Sequence, residues 1–381
     1  MTEAQRRVGG RAAGEVFWAF FRIGGLSFGG PAANMALVHS KVVLGLKWLD
    51  EREFLDLVGM VTVLPGPNAV EMAMHIGHRR AGRVGFVLGG VAFVLPGALL
   101  AAVLGALYLR YGSTSAAAGI LYGIKPVVIA VTGWSVVRLA KGARPQRGRI
   151  ALIACVAGLY LLGVDELALL AIAGAVMLGA HLWRVRRTGR SPLLLVPLAV
   201  PAEHPDLPAL AGVFLKAGAL LFGGGAVLLA VLRGELVVDR GWITEDQLLD
   251  AIMVGQVTPG PVLNTATFLG YTLAGPLGAL VVTIAVVLPS FVLMAAAGPA
   301  LRVIRKHAST RAALDGVTLG AIGVLAGFTV ELGRSALVDP LTVVVAATAG
   351  LVLWRRPSSA LPLVGAGAVF GLLRLLIHHL L

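Results

Sequence analysis

Long apolar runs separated by short basic loops leave few folds open to this chain. Six runs lie in the first half, at about 14–40, 53–77, 84–109, 119–137, 150–163 and 166–183. Six more lie in the second, at about 209–232, 247–273, 277–301, 312–333, 340–354 and 360–380. Several approach or exceed the roughly 20 residues a helix needs to cross a bilayer. Charged residues are 13% of the 381 and hydrophobic residues 57%, where a soluble domain carries about 25% charged residues. A soluble fold of this size could not hide that much apolar surface. In lipid the backbone must satisfy itself, so these runs read as helices. The expected class is an all-α polytopic membrane protein. A soluble enzyme, a secreted disulfide scaffold and a disordered chain are excluded, and the single Cys155 reads as a small core residue.

The charge pattern gives sidedness. The chain has 32 basic and 19 acidic residues, a net +13. Half of the basic residues fall in four clusters between apolar runs: Arg79, Arg80 and Arg83; Arg138, Lys141, Arg144, Arg147 and Arg149; Arg184, Arg186, Arg187 and Arg190; Arg302, Arg305, Lys306 and Arg311. This is the pattern of cytoplasmic loops, and no nucleic-acid partner is needed to explain it. The basic N-terminus lacks a small-residue cleavage site and reads as retained.

The sequence also repeats itself. Phe28-Gly29-Gly30 returns as Phe222-Gly223-Gly224, Trp48 as Trp242, Glu51 as Glu245, Asp56 as Asp250 and Pro65-Gly66-Pro67 as Pro259-Gly260-Pro261, all offset by 194 residues. Phe20–Asn68 laid on Phe214–Val262 without a gap gives 17 identities in 49 positions. After one deletion Gly85, Pro96 and Gly123 match Gly278, Pro289 and Gly316. Two modules are expected, at 1–190 and 209–381, joined by a Pro-rich linker at 191–208. Basic loops follow the second and fourth runs of the first module but the third and fifth of the second. The modules therefore insert upside down relative to each other, as inverted repeats of five to six membrane segments. Inversion needs an odd number of crossings before the second module. The favoured solution makes the first, Gly-rich run of each module a broken, re-entrant pair of half-helices, for ten crossings in all; a thirteenth crossing in the linker is the alternative.

Two stretches, FFRIGGLSFGGPAANMALVHS and KWLDEREFLDLVGMVTVLPGPNAVEMAMHIG, resemble the N-terminal module of the chromate ion transporter family. FLKAGALLFGGGAVLLAVLRGELV and GWITEDQLLDAIMVGQVTPGPVLNTATFLGY resemble its C-terminal module. The resemblance covers both halves and implies the long-chain, fused two-domain form. It implies efflux of chromate across the bacterial inner membrane by a multi-pass protein, and chromate resistance. Short-chain relatives work as pairs of single modules.

Chromate and sulfate are tetrahedral dianions, and a low-dielectric site must offer them donors and positive potential. Broken helices supply both at their N-termini. Four candidate breaks occur: Gly29-Gly30-Pro31, Pro65-Gly66-Pro67, Gly223-Gly224-Gly225 and Pro259-Gly260-Pro261. Asn68, Asn264 and Thr265 follow two of them and are expected to face the anion; the bland reading is that Pro and Gly merely kink packed helices. Arg22 and Lys216 stand six residues before the matching Phe-Gly-Gly motifs, as ligands or as cations reaching to an interface. Lys125 is expected to reach for an interface. Glu71 and His75 share a helix face as a candidate proton-coupling pair, or as a packing pair. Trp48 to Glu51 and Trp242 to Glu245 read as helix starts.

No phosphate loop, zinc motif or nucleophile elbow occurs, so no enzyme, metal or cofactor is expected. The expected partners are a chromate- or sulfate-like oxyanion and the lipid bilayer, and assembly as a homodimer stays open. The rival functions are a sulfate transporter or exchanger, a membrane-embedded enzyme and a passive channel.

Overall fold

The chain's arrangement comes from a computed structural model that describes residues 3–28, 30–61, 66–143, 146–185, 205–221, 226–260, 263–306, 308–355 and 360–380. Among these residues there are fourteen α-helices and no strand. The first module holds α1 (Glu3–Gly25), α2 (Gly30–Val38), α3 (Glu51–Val61), α4 (Asn68–Tyr111), α5 (Ser115–Gly142), α6 (Arg147–Leu161) and α7 (Glu166–Val185). The second repeats them as α8 (Leu207–Ala219), α9 (Ala226–Arg233), α10 (Glu245–Val257), α11 (Asn264–Lys306), α12 (Ala308–Ala336), α13 (Pro340–Arg355) and α14 (Ala360–Leu380). α2 and α9 each run on into a π-helical stretch, His39–Gly45 and Gly234–Asp239. The repeat reaches single hydrogen bonds. Trp48 N–H donates to Val42 O at 3.0 Å, and Trp242 N–H donates to Leu236 O at 2.8 Å.

The motifs read as helix starts are helix starts. Thr244 and Gln247 cap α10 reciprocally. Glu53 N–H donates to Asp50 Oδ1 at 2.7 Å, and Asp50 N–H to Glu53 Oε2 at 3.2 Å, ahead of α3.

α4 and α11 each bend sharply at matching places. Ala81 (φ −139°, ψ 25°) and Gly82 (φ 60°, ψ −147°) leave helical geometry, as do Ala274 (φ −142°, ψ 25°) and Gly275 (φ 64°, ψ −156°). A side chain would be strained at Gly82 or Gly275, so glycine sets the bend. Each helix thus has a short limb (68–80; 264–273) and a long one (83–111; 276–306).

The short pieces form hairpins. Arg79 Nη2 lies 2.5 Å from Glu53 Oε1, and Arg80 Nη2 lies 3.1 Å from Glu15 Oε2. Arg80 also sits over the Trp48 ring, 5.4 Å from its centroid. Hence α1 enters from one end of the bundle and α2 with its π stretch returns there. α3 enters from that same end, and the short limb of α4 returns. The sequence expectation of one re-entrant pair per module is therefore extended to two. The second apolar run of the first module is thus also a hairpin.

The long limbs carry the inversion. The short limb of α11 runs along the long limb of α4 from Gly97, beside Asn264, to Gly105, beside Tyr271. Past the bend its long limb returns to bring Phe291 against Phe86 (ring centroids 5.7 Å apart), so the two long limbs run antiparallel. Equivalent helices packed antiparallel are related by a two-fold axis across the bundle. The last helices are exchanged between modules. α5 packs on α14: a Cβ on Gly123 would lie 2.0 Å from Gly367 O, and one on Gly371 would lie 1.9 Å from Gly119 O. Symmetrically, α12 packs on α7, a Cβ on Gly316 lying 2.4 Å from Ala173 O. Small residues allow this approach where no aqueous hydrophobic effect drives helices together. Overfilling a packed contact costs about 1–3 kcal/mol, so Gly123→Ala should lower the melting temperature in detergent. Gly142→Ala, whose Cβ would meet nothing within 4 Å, should leave it unchanged.

All four basic clusters map to one end, as far as their residues are described. Arg149 Nη2 and Asp315 Oδ2, 3.3 Å apart, tie the starts of α6 and α12 together there. Lys141 Nζ stacks over the rings of Trp134 and Trp354 at 5.8 and 5.0 Å. The far end is acidic, with Arg233 Nη2 bridging Glu245 (2.7 Å) and Glu331 (2.6 Å). Lys125 is not simply reaching for an interface: its Nζ is 2.5 Å from Asp246 Oδ1 and 3.9 Å from Asp250 Oδ1. Tyr108 Oη donates to Asp250 Oδ2 at 2.7 Å, so one buried aspartate of α10 pins α4 and α5 of the other module. Tyr108→Phe should destabilise the bundle by about 1.5–3 kcal/mol, as expected for a hydrogen bond to a charged group, read as a lower thermal midpoint in detergent.

α7 runs antiparallel to α12 and ends at the basic end. α8 lies along the long limb of α11 and starts at the acidic end, since a Cβ on Gly218 would sit 2.2 Å from Val286 O, as one on Gly24 would from Phe93 O. The linker therefore joins opposite ends of the bundle. Residues 186–204, which include most of the linker, lie outside the described residues.

Candidate translocation site

The breaks converge at mid-bundle. Pro96-Gly97 and Pro289-Ser290 are equivalent and sit near the middle of the two long limbs. A Cβ on Gly97 would lie 2.1 Å from Pro259 O and 2.4 Å from Asn264 Nδ2. A Cβ on Gly66 would lie 2.2 Å from Glu71 Oε1 and 2.9 Å from Ser290 Oγ. Each Pro-Gly-Pro turn thus abuts the long limb of the other module, one turn or less past its proline. The first break joins them, because Gly260 N–H donates to Ser27 O at 2.7 Å.

This junction is polar inside an apolar bundle. Ser27, Asn34, Glu71, Asn264, Thr265 and Ser290 are all buried. Among the described residues Ser27 Oγ, Asn34 Oδ1, both Glu71 carboxylate oxygens, Asn264 Oδ1, Thr265 Oγ1 and Ser290 Oγ lack a hydrogen-bond partner. Buried polar atoms are almost always paired, so such a concentration makes the junction a candidate site. α4 and α11 begin here at Asn68 and Asn264, and α2 begins at Gly30. The first four N–H groups of a helix have no partner within it, and they carry the positive end of its dipole.

The expected site residues fare differently. Gly66, Pro67, Pro259, Gly260, Asn264 and Thr265 are in the junction, and Gly30 opens α2. Asn264 is only half available: its Nδ2 donates to Thr258 Oγ1 (2.9 Å) and Pro259 O (2.8 Å), leaving Oδ1 free. The Asn68 amide donates to Gly66 O at 3.2 Å and Val61 O at 3.3 Å, bracing the turn instead of facing the junction. Gly29, Pro65, Gly223, Gly224 and Pro261 lie outside the described residues.

The two cations part company. Lys216 is bound to Glu235, which Arg240 also contacts at 3.3 Å. Arg22 is exposed and lines a pocket on the flank of α1. Glu71 and His75 share a face, yet no hydrogen bond joins them, since both Glu71 oxygens are unpartnered. Ser27, Asn34 and Ser290 were missed from sequence. Ser290 could have been found as the residue after the repeated proline. The described residues hold no cluster of three or more metal-ligating side chains.

Inverted modules and hairpins broken at mid-bundle are features of a membrane transporter. The comparisons give the family. The profile described as "Chromate transporter" matches residues 14–180 and again 208–372, once per module, and the chain belongs to the chromate transporter family. A chromate transport protein of Cupriavidus metallidurans is 30% identical over 94% of this chain and 93% of its own length. A probable chromate transport protein of Synechococcus elongatus is 32% identical over 88% of this chain and 94% of its own. A chromate transport protein of Pseudomonas aeruginosa is 30% identical over 94% and 91%. No solved structure matches significantly. The chain is a membrane transporter and not an enzyme.

Proposed function

We propose that the chain exports chromate from the cytoplasm across the bacterial inner membrane, as a secondary transporter whose dianion is held between the two inverted modules. The observation that carries this reading is the junction itself, where both Pro-Gly-Pro turns and the first break meet among unpartnered buried hydroxyls. Ser27, Thr265 and Ser290 would donate O–H groups to the oxyanion, and the N-termini of α2, α4 and α11 would supply N–H groups and positive potential. The basic end is cytoplasmic. Among the described residues α4, α5, α11 and α12 are long and apolar enough to cross the membrane.

Outward movement of a dianion is favoured by a negative-inside potential. Glu71 suits a proton-exchanging group, because an isolated buried carboxylate charge is costly unless something pairs with it. His75, half-buried one turn along, offers the next stop toward Arg79 at the basic end.

Everted vesicles with and without the protein test this. Saturable chromate uptake, competed by sulfate and reduced by an uncoupler, is expected. Sulfate moving without chromate would keep the site and discard the substrate. Flux without saturation would mean a channel.

A further inference from the structure

The repeat makes one asymmetry visible. Positions 22 and 216 are equivalent, and so are positions 41 and 235. In the second module these are Lys216 and Glu235, which form an ion pair. In the first they are Arg22 and Lys41, two cations. Because the paired side chains touch in one module, the same two positions face each other in the other. Arg22 and Lys41 do line a common open pocket of about 770 Å³, between α1 and the π stretch after α2. Both are exposed, and among the described residues neither has a carboxylate partner. The acidic residue of the pocket, Glu15, is engaged by Arg80 at 3.1 Å and Arg11 at 3.8 Å.

We propose that Arg22 and Lys41 form a capture station for the tetrahedral dianion on the cytoplasmic side, separate from the central junction, and that the Lys216–Glu235 pair closes its counterpart on the outer side. The inference rests on the transport reading above and adds a residue and a direction to it. Two like charges side by side repel unless an anion comes between them, so the station is empty-strained and anion-relieved. Its helix α1 leads on toward Ser27, one turn beyond Arg22 and in contact with the Gly260 turn. The outer counterpart carries an acid where Lys41 would stand, and that acid engages both Lys216 and Arg240, so it leaves less free positive charge for the same dianion. The device loads from one side.

Lys41→Glu is the direct test, because it rebuilds in the first module the pair that the second already folds with. Uptake is measured in everted proteoliposomes against chromate concentration, once in zwitterionic phosphatidylcholine and once with phosphatidylglycerol added. The expected result is a KM for chromate raised about tenfold in both lipids, as for loss of electrostatic focusing, with the maximal rate and melting temperature held. Lys41→Arg should restore the wild-type KM. Glu235→Gln, which frees Lys216, should speed entry from the outer side. A KM within about twofold of wild type, with wild-type uptake saturable, would overturn the capture station and leave the transport reading intact. An effect confined to the phosphatidylglycerol liposomes would assign the pair to a lipid headgroup and also overturn it. Absence of saturable uptake in the wild type would sink the transport reading instead.

Discussion

Gly97→Ala is expected to abolish chromate uptake in everted vesicles, at unchanged expression. The added methyl would arrive 2.1 Å from Pro259 O and 2.4 Å from Asn264 Nδ2. Neither can swing aside like the tip of a long side chain. Pro259 O is backbone, and the Asn264 amide is held by Thr258 and Pro259. The second Pro-Gly-Pro turn must therefore move off the long limb of α4. That turn also holds the first break, through Gly260 N–H to Ser27 O, so one methyl displaces three of the elements proposed to surround the anion. Overpacking costs about 1–3 kcal/mol, and a displacement near 1 Å at a reacting centre can cost about a hundredfold in rate. Gly133→Ala, with its nearest neighbour a side-chain methyl at 3.7 Å on Thr329, serves as the control within the same bundle. Wild-type uptake by Gly97→Ala would mean that the junction is only packing.

The second large effect is expected at Glu71. Glu71→Gln keeps the shape of the side chain and removes its ability to gain and lose a proton. Chromate uptake driven by an imposed pH gradient should fall at least about tenfold, equivalent to 1.4 kcal/mol in the barrier. Exchange of labelled for unlabelled chromate without a gradient should persist. Proteoliposomes separate the two directly. If both fall together, Glu71 is part of the anion's own binding place. If neither falls, it is a packing residue, as the bland reading of the Glu71/His75 pair held.

Much of this architecture was legible because it is written twice. The matching of Gly85 and Pro96 to Gly278 and Pro289 predicts equivalent long helices, and these are α4 and α11, whose long limbs cross antiparallel at the centre. The uncharged Leu273–Leu277 loop, set against the basic Arg79–Arg83 loop, predicts inversion, and the bends at Gly82 and Gly275 fall in those two loops. Periodicity could not show that the run at 53–77 turns back on itself. An apolar hairpin and an apolar crossing look alike until Arg79 is seen beside Glu53.

The site was legible in its backbone and less so in its side chains. Pro-Gly-Pro announces a break, whatever surrounds it. Asn68 follows such a break and was expected to face the anion, yet its amide turns back to brace Gly66 and Val61. Ser27 and Ser290 look ordinary in sequence, since a serine hydroxyl commonly finds a nearby backbone partner. Only burial without a partner distinguishes them. Likewise nothing local marks Lys216 as neutralised. Its partner Glu235 lies 19 residues on, across a hairpin turn.

The most direct measurement removes the orphaned hydroxyls together. Ser27→Ala, Thr265→Val and Ser290→Ala combined take away three unpaired donors while nearly conserving shape. Since none has a partner among the described residues, their loss should leave the melting temperature unchanged or raised. The account predicts that the KM for chromate nevertheless rises at least about tenfold, about 1.4 kcal/mol of lost anion binding. An unaltered KM in a folded triple variant would contradict the central site.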